Sequence, residues 1–173
     1  MNLIVTCARN LEGEAEEEII DILDELGDPD VKISISNMSG IITVQTKLDP
    51  IEVVRKMKEI LLDEPWSIRY CLRVIPIQKI VETNLEKIEE GICSISDKIE
   101  DDESYRILIE KRNSDISSKE IITNIANQIK NKVSLDFPDK IILIEILGII
   151  TGISLIKKSD ILSLEKTKRS MSE

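Results

Sequence analysis

The run IILIEILGIITGISLI, Ile141–Ile156, constrains the fold more than any other stretch of the chain. It is 16 residues long, short of the roughly 20 that a membrane-spanning helix needs, and Glu145 lies inside it. Isoleucine dominates, and Gly148 and Gly152 interrupt it. β-branched side chains suit a pleated, packed surface and glycine marks a bend. The run therefore predicts two buried strands joined near Gly148, and not a lipid-facing helix with a G-x-x-x-G face.

A β-rich centre of this kind needs partners, and the preceding sequence supplies them. NLIVTCA (Asn2–Ala8) reads as a buried strand, and Leu11–Leu26 as a helix with an apolar stripe and an acidic outer face, stopped at Gly27. VKISIS (Val31–Ser36) and IITVQT (Ile41–Thr46) alternate as two strands of a hairpin. Asp49 caps a second helix with Pro50 at its first position, and WSIRYCLRVIPI (Trp66–Ile77) returns as a strand. The order β-α-β-β-α-β over residues 1–77 predicts a ferredoxin-like domain within an α+β chain.

Pro76 marks the expected boundary. QKIVETNLEKIEEGI (Gln78–Ile92) reads as a helix with Ile80, Val81, Leu85, Ile88 and Ile92 on one side. SDKIEDDE (Ser96–Glu103) reads as a solvated connection, and YRILIEKR (Tyr105–Arg112) as a strand whose core face carries Tyr105, Ile107 and Ile109. Ser117 and Glu120 form a capping box before a helix striped by Ile122, Ile125, Ala126, Ile129 and Val133. The end of the chain, residues 159–173, is expected to be a basic tail with a short helix and a frayed terminus.

Composition removes whole classes of chemistry. The chain has no histidine, so it holds no Ser-His-Asp triad, no histidine general base and no Cys/His zinc site. Its six glycines fit neither phosphate-cradling pattern, so no nucleotide cofactor is expected. The 33 acidic residues offer many carboxylate pairs, yet nothing singles one out, and the protein is expected not to be an enzyme. Cys7, Cys71 and Cys93 are odd in number and far apart, as for reduced core thiols in a cytoplasmic protein. No basic start with an apolar segment behind it suggests secretion, and no membrane association is expected.

Net charge is −10, but unevenly spread. Residues 1–65 carry −9, residues 66–103 carry −4, and residues 104–173 carry +3. The basic third opens with EKRNSDISSKE (Glu110–Glu120), where Lys111 and Arg112 end a strand, Asn113-Ser114-Asp115 turn, and Lys119 falls in the first turn of a helix. Bases at a strand end beside a helix N-terminus suit phosphate oxygens. Ordinary solvated charges, paired with Glu110 or Asp115, fit the same residues, and chemistry alone leaves both open.

RVIPIQKIVETNLEKI, SYRILIEKRNSDISSKEIITNIANQI and DFPDKIILIEILGIITGISLI together resemble a THUMP domain, an RNA-binding module of tRNA-modifying proteins. The resemblance spans residues 78–158, and THUMP proteins commonly carry a ferredoxin-like domain just before it. Thiolation and methylation enzymes of this kind continue into a long catalytic domain, whereas 17 residues follow Ile156 here. EKRNSDISSKEII is similar to the stand-alone THUMP accessory proteins of tRNA cytidine acetyltransferase. The resemblance implies a non-catalytic adaptor that holds the acceptor end of tRNA for that enzyme, or for another tRNA-modifying enzyme, without binding DNA. A split thiolation or methylation enzyme, or a ferredoxin-like scaffold without RNA, remain alternatives. The resemblance implicates Lys111, Arg112 and Asn113, with Lys119, as RNA contacts, and Arg106, Lys130 and Lys132 complete the candidate set. Changing Lys111 and Arg112 to glutamate is expected to weaken tRNA binding without unfolding. Only Trp66, Tyr70, Tyr105 and Phe137 are aromatic, so recognition would run through phosphate, shape and 2′-hydroxyl contacts.

Overall fold

The computed structural model describes residues 1–172. The chain divides into two units, Met1–Ile77 together with the segment from Ser159 onward, and Gln78–Lys158.

The first unit runs β1 (Leu3–Thr6), α1 (Glu12–Leu26), β2 (Lys32–Ile35), β3 (Ile41–Gln45), α2 (Pro50–Asp63) and β4 (Arg73–Pro76). Four strands of its sheet run in the order β2-β3-β1-β4, with every neighbouring pair antiparallel. Gly27 ends α1 in the left-handed conformation at φ 114°, which glycine reaches without a Cβ penalty. The Asp49 side chain accepts from the N–H groups of Ile51 and Glu52, which fixes the start of α2. One helix stripe, Ala15, Ile19 and Leu23, and another, Val53, Val54, Met57 and Leu61, close on Leu3, Val5, Ile42, Val44 and Val74 to make the core.

The second unit runs β5 (Lys79–Glu82), α3 (Leu85–Ser96), β6 (Tyr105–Arg112), α4 (Ser118–Gln128), β7 (Lys140–Leu147) and β8 (Ile150–Ile156). Its sheet order is β5-β8-β7-β6. β6 and β7 are parallel and joined by α4, as a parallel pair requires a long crossover. The apolar run folds as β7 and β8, antiparallel, turning at Gly148 with φ 61°. Ile142, Ile144 and Ile146 of β7 pack with Ile88, Ile92 and Ile95 of α3 and Ile121 and Ile125 of α4. No described helix is long and apolar enough to cross a membrane.

Several expectations are corrected. The strand expected from Trp66 begins only at Arg73, because the Glu18 carboxylate accepts the N–H groups of Arg69, Tyr70 and Cys71 at 2.9–3.0 Å and takes them out of any ladder. Gln78–Ile92 is not one helix: Lys79–Glu82 pairs with β8, and the Asn84 side chain, accepting from Lys87 N–H, starts α3 afterwards. The buried stripe of α4 is Ile121 and Ile125, while Ile122 and Val133 are exposed and the helix stops at Gln128. Ile99, within the supposedly solvated connection, is buried in the second core. Cys7 and Cys71 are buried, but Cys93 of α3 is exposed, its thiol donating to the Gln128 side-chain carbonyl at 2.9 Å. The segment after Lys158 holds the expected short helix and, beyond that expectation, joins the first unit. Leu162–Ser163 forms β9 against β4, and α5 (Leu164–Met171) follows, with Leu162 and Leu164 entering the first core.

Candidate nucleic-acid interface

β6 ends on Lys111 and Arg112, whose side chains leave opposite faces of the sheet, and parallel pairing stops at Arg112 opposite Leu147. The chain then turns through Asn113 at φ 53°, a left-handed value that asparagine tolerates better than most residues. Lys111 Nζ donates to the Ile116 carbonyl at 2.9 Å, tying the strand end to the loop before α4. Ser117 caps that helix by accepting from Glu120 N–H at 3.2 Å, and Lys119 is exposed in its first turn. Lys111, Arg112, Asn113 and Lys119 therefore share one end of the second unit with the positive end of a helix dipole.

Arg112 is the most constrained member. Its guanidinium lies 3.5 Å from Glu145, whose side chain is fully buried while that of Arg112 is 30% exposed. A carboxylate at such depth is stable only when paired or hydrogen-bonded. The pair holds part of the guanidinium and leaves further N–H donors for a ligand. Glu145 was legible as the one charge in the apolar run, but its partner lies 33 residues away in sequence and is set by the parallel register.

The other candidates lie elsewhere. Arg106 is six residues before Arg112 on the same strand, about 20 Å away at about 3.3 Å per residue. Its guanidinium donates to the Leu135 carbonyl at 3.2 Å. Lys130 and Lys132 follow the end of α4, and the Lys132 carbonyl accepts from Tyr105 N–H. This end is acidic: Asn131 donates to the carbonyls of Glu100 and Glu103, and Lys140 lies 3.2 Å from Glu103. The Glu100 N–H, followed by Lys140, holds the Glu103 carboxyl below its ordinary range, and the Ser104 N–H and hydroxyl do the same for Asp139. Both stay ionised at neutral pH. Together with Glu100, Asp101, Asp102 and Asp136 they oppose a phosphate backbone at this end. Arg106, Lys130 and Lys132 thus do not join the cluster at Lys111.

A basic strand end beside a capped helix, on a small α/β unit with one parallel pair, is the arrangement that the second unit presents. Residues 82–156 match the THUMP domain model, and the chain carries a THUMP domain there. No curated protein sequence matches the chain. Among solved structures, PH1313 from Pyrococcus horikoshii is 20% identical with TM-score 0.61, over 91% of this chain and 55% of that one. TrmN from Thermus thermophilus is 12% identical with TM-score 0.61, over 88% and 44%. A 4-thiouridine synthetase in complex with RNA and bound ATP is 11% identical with TM-score 0.50, over 91% and 42%. At these identities the likeness is one of fold, and the chain spans 42–55% of the length of these proteins.

Proposed function

We propose that this protein is a non-catalytic tRNA-binding adaptor that presents its ligand to a tRNA-modifying enzyme, with the THUMP domain holding the acceptor end. The observation that carries this reading is the THUMP domain over residues 82–156, whose basic end gathers Lys111, Arg112, Asn113 and Lys119. The shared fold with a synthetase crystallised on RNA supports it. Formation of N4-acetylcytidine is the reaction we assign to the partner, on the likeness of Glu110–Ile122 to the accessory proteins of the acetyltransferase. The strand order β2-β3-β1-β4 supports reading the first unit as ferredoxin-like, the usual companion of a THUMP domain. Such an adaptor works in the cytoplasm with its tRNA and its enzyme. A second reading is the RNA-binding subunit of a split methylation or thiolation enzyme, favoured by the fold shared with TrmN and 4-thiouridine synthetase.

The test is tRNA affinity as a function of salt. Wild type is expected to lose log affinity by roughly 0.9 per neutralised phosphate on duplex regions. Arg112→Glu is a poor probe, since it sets a second carboxylate against buried Glu145 and costs about 3–5 kcal/mol of stability. The exposed pair Lys111→Glu/Lys119→Glu is expected to weaken binding roughly tenfold or more at low salt and to flatten the salt slope, with the fold retained and only the small stability loss of the Lys111–Ile116 bond. Unaltered affinity in that variant removes the site assignment. Crosslinking in native extract names the enzyme: an acetyltransferase supports the first reading, a methylase or thiolation subunit the second. Absence of any tRNA at low salt leaves a scaffold without RNA.

A further inference from the structure

Ile149 sits at the tip of the β7–β8 hairpin and is 86% exposed, while every other residue from Ile141 to Ile156 is buried or half-buried. Leu147 pairs with Ile150, so Gly148 and Ile149 are the whole loop. Two-residue hairpin loops favour Gly, Asn, Asp and Ser, and their chemistry does not ask for an isoleucine. The tip is stapled on both sides. Gly148 N–H donates to the Arg112 carbonyl at 2.9 Å, and Thr83 N–H donates to the Ile149 carbonyl at 2.9 Å. A second bond, between the hydroxyls of Thr83 and Thr151 at 2.8 Å, braces the same corner. An apolar side chain is thereby held out to solvent directly beside the last residue of the basic strand end. Phe137 is as exposed, at 88%, but lies between Asp136 and Asp139 at the acidic end, where phosphate is repelled.

We propose that Ile149 is an RNA-contacting residue that takes the ribose or base of an unstacked nucleotide whose phosphate is held by Arg112. This rests on the tRNA-binding reading above. RNA sites pair charged groups for phosphate with apolar or planar groups for a splayed nucleotide, and this corner supplies both within one turn of chain. The rigid tip keeps the side chain in place before the ligand arrives.

Ile149→Ser and Ile149→Trp test it in the full chain, with tRNA as the probe across a salt series. Ile149→Ser is expected to bind roughly fifteenfold more weakly, the loss of about two buried methylene equivalents. Its salt slope should match wild type, because an uncharged contact releases no counterions. Ile149→Trp should bind at least as tightly as wild type, since a larger planar face stacks on any base. Position 149 is an exposed tip, and matching thermal midpoints of the two variants show that folding is intact. Wild-type affinity in Ile149→Ser overturns the proposal, and so does a weakened variant with a flattened slope. Failure of wild type to bind tRNA at all overturns the functional reading itself, which the same titration separates from the other outcomes.

Discussion

Asp28 follows the glycine that ends α1, yet it is only 2% exposed. Its carboxylate accepts from the Thr46 hydroxyl at 2.5 Å, from Lys47 N–H at 2.9 Å and from Asp30 N–H at 3.2 Å. The Thr46 bond above all, with the Lys47 and Asp30 N–H groups, holds its carboxyl below the ordinary value of 3.8, against the desolvation that would raise it. A depressed folded pKa contributes stability that is present above the unfolded value and lost as pH falls through the folded one. Asp28→Asn is therefore expected to cost about 1–3 kcal/mol at pH 7, with the gap to wild type closing below about pH 4, as measured by urea denaturation across pH. A gap that does not change with pH would mean that charge plays no part. Nothing in Gly27-Asp28-Pro29-Asp30 beyond a turn signal points to this role, because both main partners come from just past the end of β3, 18 and 19 residues on.

At the scale of elements, boundaries set by local side chains were legible and those set by distant backbone were not. Asp49-Pro50, Ser117 and Gly27 mark their helix ends as their chemistry requires. The β5–α3 junction was missed because Ile80, Val81, Leu85 and Ile88 fit a helical stripe. β5 is a mostly exposed strand, and pairing with β8 makes it a strand, not its own burial. The signal that was available is Asn84, a good N-cap whose side chain accepts from Lys87 N–H at 3.2 Å. Asn84→Ala is expected to cost about 1 kcal/mol, read as faster hydrogen exchange across the first turn of α3. The phase of α4 was misjudged by one residue for a related reason. Isoleucines stand at both 121 and 122, and only docking against α3 and β6 decides which of them faces inward.

For the whole molecule, the chain leaves the first unit at Ile77, builds the second, and returns to the first at Ser159. On return, Leu162 pairs opposite Val74, Leu164 N–H donates to the Leu72 carbonyl at 2.8 Å, and Lys58 Nζ donates to the Ser159 carbonyl. Leu162 is fully buried and Leu164 nearly so. A chain ending at Lys158 should lose roughly 3–6 kcal/mol from the first unit, about 1.5–3 kcal/mol for each leucine. Amide exchange in β1, β3 and β4 would then accelerate. Unchanged protection there would show that β9 and α5 add nothing to that core.

What can be decided along the chain was decided there: the two-strand nature of Ile141–Ile156, the exclusion of histidine chemistry, and the basic strand end at Lys111-Arg112. These depend on residue type, short spacing and composition, which local sterics and burial translate directly into structure. Pairing and facing needed the folded chain. Register put Arg112 on Glu145, the crossover carried Lys130 and Lys132 to the opposite end from Lys119, and the hairpin turned Ile149 out beside the basic cluster. Such relations join residues tens of positions apart, and no local preference of either partner specifies them.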